Sequence, residues 1–444
     1  MLIIAGFIIL LFYRISKIKY KHRMMIIKYI IISLVISLVS LWFLQKEIFL
    51  HNGLDGTIGT DAYRYWVILK YAVTYKLSIK EFNDYIIFLG YPNIKFFFIF
   101  EYLVLITSVI KTPVILKICN IVLVQNIIVL VYLYIRSIDI NLNKKYIKFI
   151  LLLICTNGGL ILTSIRVFKD IILLYILFES LYSLQIFFKK RSVIALITYF
   201  ILAYFSNYIR PKSIYIYLFI FLVQIIIIKF SIMKSKKLKQ KLVGILFIIL
   251  ISCIALYRIP FISELLNKTQ EIAINDATNE ISEGYGGYLS ENTYILNNNN
   301  IFFRFGIGTL RTIFFPTPFK TLFTPVGYNV SFFEGITGRV LELMWQFVYP
   351  VSLIIFIYYI LFYFSENDYK YIPYILFCLI QVLTYSFMYF GGAQLRWKLP
   401  YIILFIIFWG KCNQYFNRKD KILIFMINIV YFLGTYLWGV SYLL

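Results

Sequence analysis

Charge is what this chain has least of. Of its 444 residues only 14% are Asp, Glu, Lys or Arg, and 20 acids stand against 44 basic residues. A water-soluble domain of this length covers its surface with far more charge, because contiguous apolar surface drives association in water. A soluble fold is therefore excluded. Histidine is nearly missing: His22 and His51 are the only two, which argues against a histidine-built metal centre or a histidine base. The five cysteines, at 119, 155, 253, 378 and 412, are scattered, four of them in apolar runs. They show neither metal-ligand spacing nor a disulfide framework. Tandem repeats of fixed period are lacking too, as are the paired Gly/Pro-broken spans that mark inverted-repeat transporters.

What the chain has instead is apolar length. Hydrophobic residues make up 61% and aromatics 20%, in runs such as "IIKYIIISLVISLVSLWFL" (26–44) and "LVGILFIILISCIALY" (242–257). Runs of about 20 apolar residues match the thickness of a bilayer, so the expected fold is all-α and polytopic, one integral membrane domain over 1–444. The net charge of +24 does not call for nucleic acid, which needs a basic face on a soluble domain. Here the basic residues cluster in short loops: Arg14 to Arg23, 144–145, 189–191, 234–241 and 417–421. Such loops sit on the cytoplasmic side, and Arg14 to Arg23 read as charges snorkelling to that interface.

Placing these clusters inside implies spans near 26–44, 113–135, 148–164, 171–188, 192–209, 213–230, 242–257, 346–363, 372–390, 399–410 and 422–443. With the short opening run at 1–13, which precedes its basic residues in the reverse order of a signal peptide, the expectation is about 11–13 transmembrane helices. The segment 91–110 is apolar enough to span, but spanning would put Arg136 to Lys148 outside, and Lys95 and Glu101 make insertion costly. It reads as an interfacial or re-entrant helix in a first extracytoplasmic region, 45–112. A second large extracytoplasmic loop covers 258–345, polar and Asn-rich at first, then amphipathic and aromatic around Arg311.

With that orientation, several charges lie on the side where positive charge is disfavoured. "RVFKD" holds Arg166, Lys169 and Asp170; "NYIRPK" holds Arg210 and Lys212; "GGAQLRWK" holds Arg396 and Lys398. Each alone reads as an interface charge, but three short turns each carrying an Arg–Lys pair point together to an anionic ligand such as phosphate. "GTDAYRYW" (59–66) supplies Asp61, a base, a metal ligand or an N-cap for the helix that starts at Ala62. Tyr63, Tyr65 and Trp66 beside it could stack on sugar rings or belong to an interfacial aromatic belt. Asp55 has the look of a turn residue. Glu101 and Glu179 lie in apolar runs with no partner evident in the sequence.

This layout resembles the GT-C superfamily of membrane glycosyltransferases. The resemblance rests on Asp61 in a large first external loop, on 91–110 as its membrane-lying helix, on "TSIRVFKD" as a second acid-bearing loop with Asp170, and on "GGAQLRWKLP" late in the chain. The first loop has "TDAY" where the family usually has paired acids, which leaves a divalent metal (Mg or Mn, with Asp61 as ligand) open. The resemblance implies a bacterial inner-membrane enzyme with its active site facing outward. It would pass sugar from a polyprenyl-(pyro)phosphate donor to a glycan or glycolipid acceptor. Asp61 and Asp170 would be catalytic, and the six Arg and Lys residues of the three turns would hold the carrier's phosphate. A repeat-unit polymerase fits the same residues, and a flippase or exporter of lipid-linked glycans is the rival from another class.

Overall fold

A chain this apolar has one economical way to satisfy its backbone polar groups away from water, the helix. The computed structural model describes residues 1–52, 60–138, 143–210, 213–232, 335–363 and 395–441, with scattered positions from 371 to 381. Among the described residues every regular element is helical. In order they are α1 (Leu2–Ser16), α2 (Tyr20–Asn52), α3 (Thr60–Thr74), α4 (Ile79–Phe88), α5 (Lys95–Ile106), α6 (Pro113–Ile138), α7 (Lys144–Cys155), α8 (Gly158–Ser164), α9 (Asp170–Lys190), α10 (Val193–Asn207), α11 (Ser213–Ile232), α12 (Gly335–Tyr358), α13 (Leu395–Cys412) and α14 (Arg418–Ser441).

Four segments are long and apolar enough to cross a membrane: Tyr20–Lys46, Pro113–Ile138, Asp170–Lys190 and Leu343–Tyr363. α7 and α8 are bent by 46° across a short break and make a fifth if counted as one broken span. Segments 192–209 and 213–230 correspond to α10 and α11, which are apolar but short over their described residues. α13 covers 399–410, and α14 covers 422–443 as far as Ser441. The span expected at 242–257 lies outside the described residues, as do nearly all of 372–390 and most of the loop 258–345. Segment 91–110 is not one long helix. A 3-10 turn at Pro92–Ile94 leads into α5, whose 12 residues reach ~18 Å at 1.5 Å per residue, against a hydrocarbon core of about 30 Å.

The helices fall into two compact units, one of residues 1–218, 318–352 and 395–444, the other of 219–317 and 353–394. In the second, the description is confined to parts of α11 and α12, a π-helical turn at Tyr359–Tyr363 and scattered residues. All the packing below belongs to the first.

One end of this first unit is rich in cations. His22, at the start of α2, lies in the field of Arg136, Lys144, Lys21 and Lys19, and its ring is 6.2 Å from that of Tyr132 near the end of α6. The Tyr146 hydroxyl donates to the Asn413 carbonyl (3.0 Å), bringing the start of α7 to the end of α13. Basic loops far apart in sequence therefore meet at one end. α6 and α13 run in the same direction with respect to it: both end there, so both begin at the far end. α9 runs alongside α6 in the same sense, with Asn120 beside Arg166 and Tyr134 beside Phe178. α10 returns toward the far end.

Arg14 departs from its expected role. It does not snorkel to an interface; it is buried, 9% exposed, because its guanidinium turns into the bundle and pairs with Glu179 of α9. It also donates to Asn126 Oδ1 of α6 (2.9 Å) and to the Tyr175 hydroxyl (3.3 Å). Asn126 closes the network by donating to the Phe7 carbonyl of α1 (3.1 Å). The Glu179 carboxylate thus has the partner that the sequence did not show, contributed by a helix 165 residues earlier.

The bend between α7 and α8 has a local cause. Asn157 leaves the helix and its side chain caps α8 by accepting from Leu160 N (2.9 Å), as Asn does at N-caps. Next to it Gly158 lets α12 approach: a Cβ there would lie 1.8 Å from the Leu341 carbonyl oxygen. Leu341 joins Leu41 and Leu44 of α2, Ile121 of α6 and Ile161 and Leu162 of α8 in one apolar cluster.

Two outcomes are expected of thermal unfolding in detergent. Arg14→Leu alone should destabilise by about 3–5 kcal/mol, because it leaves Glu179 buried without its cation, while Arg14→Leu with Glu179→Leu should recover most of that loss. Gly158→Ala should cost about 1–3 kcal/mol, since backbone must move; Gly410→Ala, whose Cβ would meet the Ile150 side chain at 2.1 Å, should cost less because that side chain can rotate. Equal costs at the two glycines would contradict the packing described.

Candidate functional site

The far end is built from the start of α6, the α8–α9 turn, the end of α10 and the start of α13, with α5 packed on α6 and α3 and α4 packed on α5. α5 buries one face, Phe97, Phe98, Glu101, Tyr102, Val104 and Leu105, at the i, i+1, i+4 spacing of a helix seated on others. Its start is pinned to the end of α10: the Phe96 and Phe205 rings stack at 4.7 Å and Lys95 Nζ lies over the Tyr208 ring at 5.3 Å. α3 lies against it through Tyr65, whose ring meets Phe97 at 5.1 Å and Phe98 at 5.4 Å. α4 follows α3 with a capping box, Ser78 and Glu81 exchanging bonds of 2.7 and 3.3 Å, and the Tyr102 hydroxyl donates to the Leu77 carbonyl. Gly90, at φ +82°, supplies the left-handed turn that ends α4 and starts the return into α5.

Arg166 sits in the α8–α9 turn. Its carbonyl accepts from Asn120 Nδ2 of α6 at 2.9 Å, its guanidinium leans on the Phe168 ring at 5.7 Å, and its charge repels Lys117 of α6. Lys169 is the N-cap residue of α9 and Asp170 its first residue; Asp170 is 6% exposed. Arg210 follows α10, its N–H donating to the Ser206 carbonyl (2.9 Å), two residues beyond the Tyr208 ring that carries Lys95. Lys398 is fully buried in the first turn of α13, with Nζ 5.1 Å from the centroid of Tyr349. Tyr349 in turn stacks on Trp345 at 5.1 Å and 7°. The structure thus brings Arg166, Lys169 and Asp170 together on one turn, and sets Arg210 by the start of α5.

Asp61 is in the first turn of α3, one turn before Tyr65; its side chain lies outside the described residues, as does that of Arg396. Lys212, Arg311 and Asp55 lie outside them altogether. Tyr63 is exposed, but Tyr65 and Trp66 are buried, 6% and 5% exposed. Their rings are occupied in packing α3 onto its neighbours, which leaves Tyr63 as the aromatic of that group with a free face. For a divalent ion the fit is poor among the described residues: no three His, Cys, Asp or Glu side chains gather, and Asp170 shares its turn with two cations.

Lys117 and Asn120 escaped the sequence reading as part of an apolar span, although two polar residues three apart in such a run share one helix face and so signal a polar contact. Glu101, an acid with no partner evident in the sequence, is the other buried group near the start of α6. Both its carboxylate oxygens are buried with no hydrogen-bond partner among the described residues, and it lies near Cys119 of α6. Burial pushes its carboxyl up to about 8, so it carries its proton at neutral pH. No protein-family model, curated protein or solved structure matches this chain.

Glu101 gives the site a pH signature. With its folded-state value raised far above that of an unfolded carboxyl, its contribution to stability is complete below about pH 4.5 and declines as pH rises toward about 8. Beyond that it stays flat. Melting temperatures of the wild type should therefore fall between pH 5 and pH 8.5 by more than those of Glu101→Gln. Parallel curves for the two proteins would show that the carboxyl is not desolvated as described.

Proposed function

We propose that this chain is a multi-pass membrane glycosyltransferase of GT-C type that transfers sugar from a polyprenyl-(pyro)phosphate carrier to a glycan or glycolipid acceptor. The observation that carries the reading is the distribution of charge in the first unit. Lysine-rich loops gather at one end, as cytoplasmic loops do, and at the opposite end Arg166, Lys169, Arg210 and Lys398 stand on separate elements where orientation does not call for them. In a bacterial inner membrane that opposite end faces outward, and α5, too short to span, lies over it.

The chemistry follows from the residue types. Asp61 takes the proton from an acceptor hydroxyl as its oxygen attacks the anomeric carbon of the donor sugar. The bond from that carbon to the carrier's phosphate oxygen breaks, and the phosphate leaves with the bonding pair. Arg166 and Lys169, with Arg210, Lys212, Arg396 and Lys398 from the other two turns, stabilise the negative charge that grows on it. Asp170, beside Arg166 and Lys169, orients those cations or serves as the second acid. Tyr63 offers a ring to a sugar face.

Polymerisation of lipid-linked repeat units would use the same groups with a longer acceptor. Export of lipid-linked glycans would need polar groups lining a path through the bundle. The buried polar network at mid-bundle is turned inward on itself, with the Arg14 guanidinium engaged by Asn126, Tyr175 and Glu179.

Profiling of surface glycans in a native host tests this reading. Asp61→Asn should remove the glycan as completely as deletion of the gene, with the protein still in the membrane, since loss of a positioned base costs roughly 10²–10⁴ in rate. Arg210→Ala should reduce it. A wild-type glycan from Asp61→Asn with loss from Arg210→Ala would sink the transferase and favour an exporter that binds the carrier.

A further inference from the structure

Membrane orientation asks only that lysines lie on one side of the bilayer, and loops anywhere on that side satisfy it. In the first unit they converge on one ring. The charges of Lys19 in the α1–α2 link, Lys21 in the first turn of α2, Lys144 in the first turn of α7 and Arg136 near the end of α6 all reach His22. Arg136 is held over the Tyr132 ring at 6.0 Å, and the His22 ring lies 6.2 Å from the same tyrosine. Lys19 and Lys21 are exposed, and His22 and Lys144 are half-buried, so the cluster opens outward. No acid among the described residues forms an ion pair with Lys19, Lys21 or Lys144, and His22 Nδ1 is buried without a hydrogen-bond partner among them.

The surface that adjoins this cluster is apolar. α2 buries its inner face, Ile26, Ile30, Ser33 and Ser37 among others, and exposes Met24, Ile31, Val35, Leu38 and Trp42 on the outer one. Their spacing keeps the five on a single helical stripe. From Met24 to Trp42 the stripe runs ~27 Å at 1.5 Å per residue, close to the hydrocarbon core of about 30 Å. Lys21 flanks its first residue, at the basic end. A soluble anion would use the cations alone; a cationic cluster at the head of an exposed apolar stripe suits an amphiphile with an anionic head.

We propose that the lysine-rich end of the first unit docks an anionic phospholipid of the leaflet that meets it. The headgroup phosphate lies between Lys21 and Lys144, at the rim they form with His22, and an acyl chain follows the outer stripe of α2. Lysine suits the role, as a compact charge on a long stem that can follow a headgroup, and basic pockets between membrane helices take anionic headgroups in this way. The site is independent of the sugar-transfer reading, whose residues stand at the opposite end.

Retention of dioleoyl-phosphatidylglycerol against dioleoyl-phosphatidylcholine by the full-length chain in detergent, read by native mass spectrometry, tests the site. The wild type should retain phosphatidylglycerol in preference. Lys21→Gln with Lys144→Gln should reduce that preference about fivefold per lysine. Lys80→Gln with Lys111→Gln, at exposed positions on α4 and before α6, makes the same change in net charge and should behave like the wild type. Should the double variant at the site fail to fold, Lys21→Gln alone, at an exposed position, reads the same contact. Equal retention of the two lipids by the wild type would overturn the proposal. So would a preference that survives Lys21→Gln with Lys144→Gln, or one that falls as far in the control pair. Glycerophosphoglycerol, the headgroup without its chains, should displace the lipid poorly. Displacement at equal concentration would overturn lipid docking and give the cluster to a soluble phosphate.

Discussion

The ion pair between Arg14 and Glu179 answers a demand that apolar helices impose everywhere in this chain: a charge removed from water needs its counterpart within reach. One side chain comes from α1 and the other from α9, while Asn126 of α6 receives one guanidinium N–H and returns a bond to the Phe7 carbonyl. Three helices are thereby registered against one another at a single level. α6 and α9 are candidate spans in their own right. α1 is not, with 15 residues and an arginine near its end, and the pair accounts for its place in the bundle. Its register fixes the start of α1 near Thr107 and Ser108, just ahead of α6.

Other charged groups in the apolar bundle meet the same demand by different means. Lys398 and Lys95 lie over tyrosine rings, where the electron-rich face replaces part of the lost water. Glu101 holds its proton, being buried without a hydrogen-bond partner among the described residues.

Some of this was legible in the sequence and some was not, for identifiable reasons. The spans at 26–44, 113–135 and 171–188 follow from run length and lie within helices that meet the span criterion. The run 148–164 is also helical, but the Asn-Gly-Gly at 157–159 breaks it, and the cap and the close approach of Leu341 explain the bend. The aromatic cluster after Asp61 read as rings for a sugar face or as an interfacial belt. Tyr65 and Trp66 are inside because α5 folds back onto α3, a contact between segments some thirty residues apart that hydropathy does not report. The basic stretch from Arg14 to Arg23 read as one kind of residue, and it divides: the lysines remain at the charged end, while Arg14 turns inward to a carboxylate.

The sequence by itself determined that this chain is helical and built for an apolar surrounding, and that its positive charge is distributed unevenly along its length. These properties are sums over neighbouring residues: run length, loop charge, helical spacing. Tertiary structure alone decided which charges meet, because the partners stand far apart along the chain, as Arg14 and Glu179 do, or Lys117 and Arg166. Pairing depends on distance in space, which falls off so steeply in its energetic effect that two charges listed far apart in a sequence have no interaction until packing of the apolar faces between them brings them together.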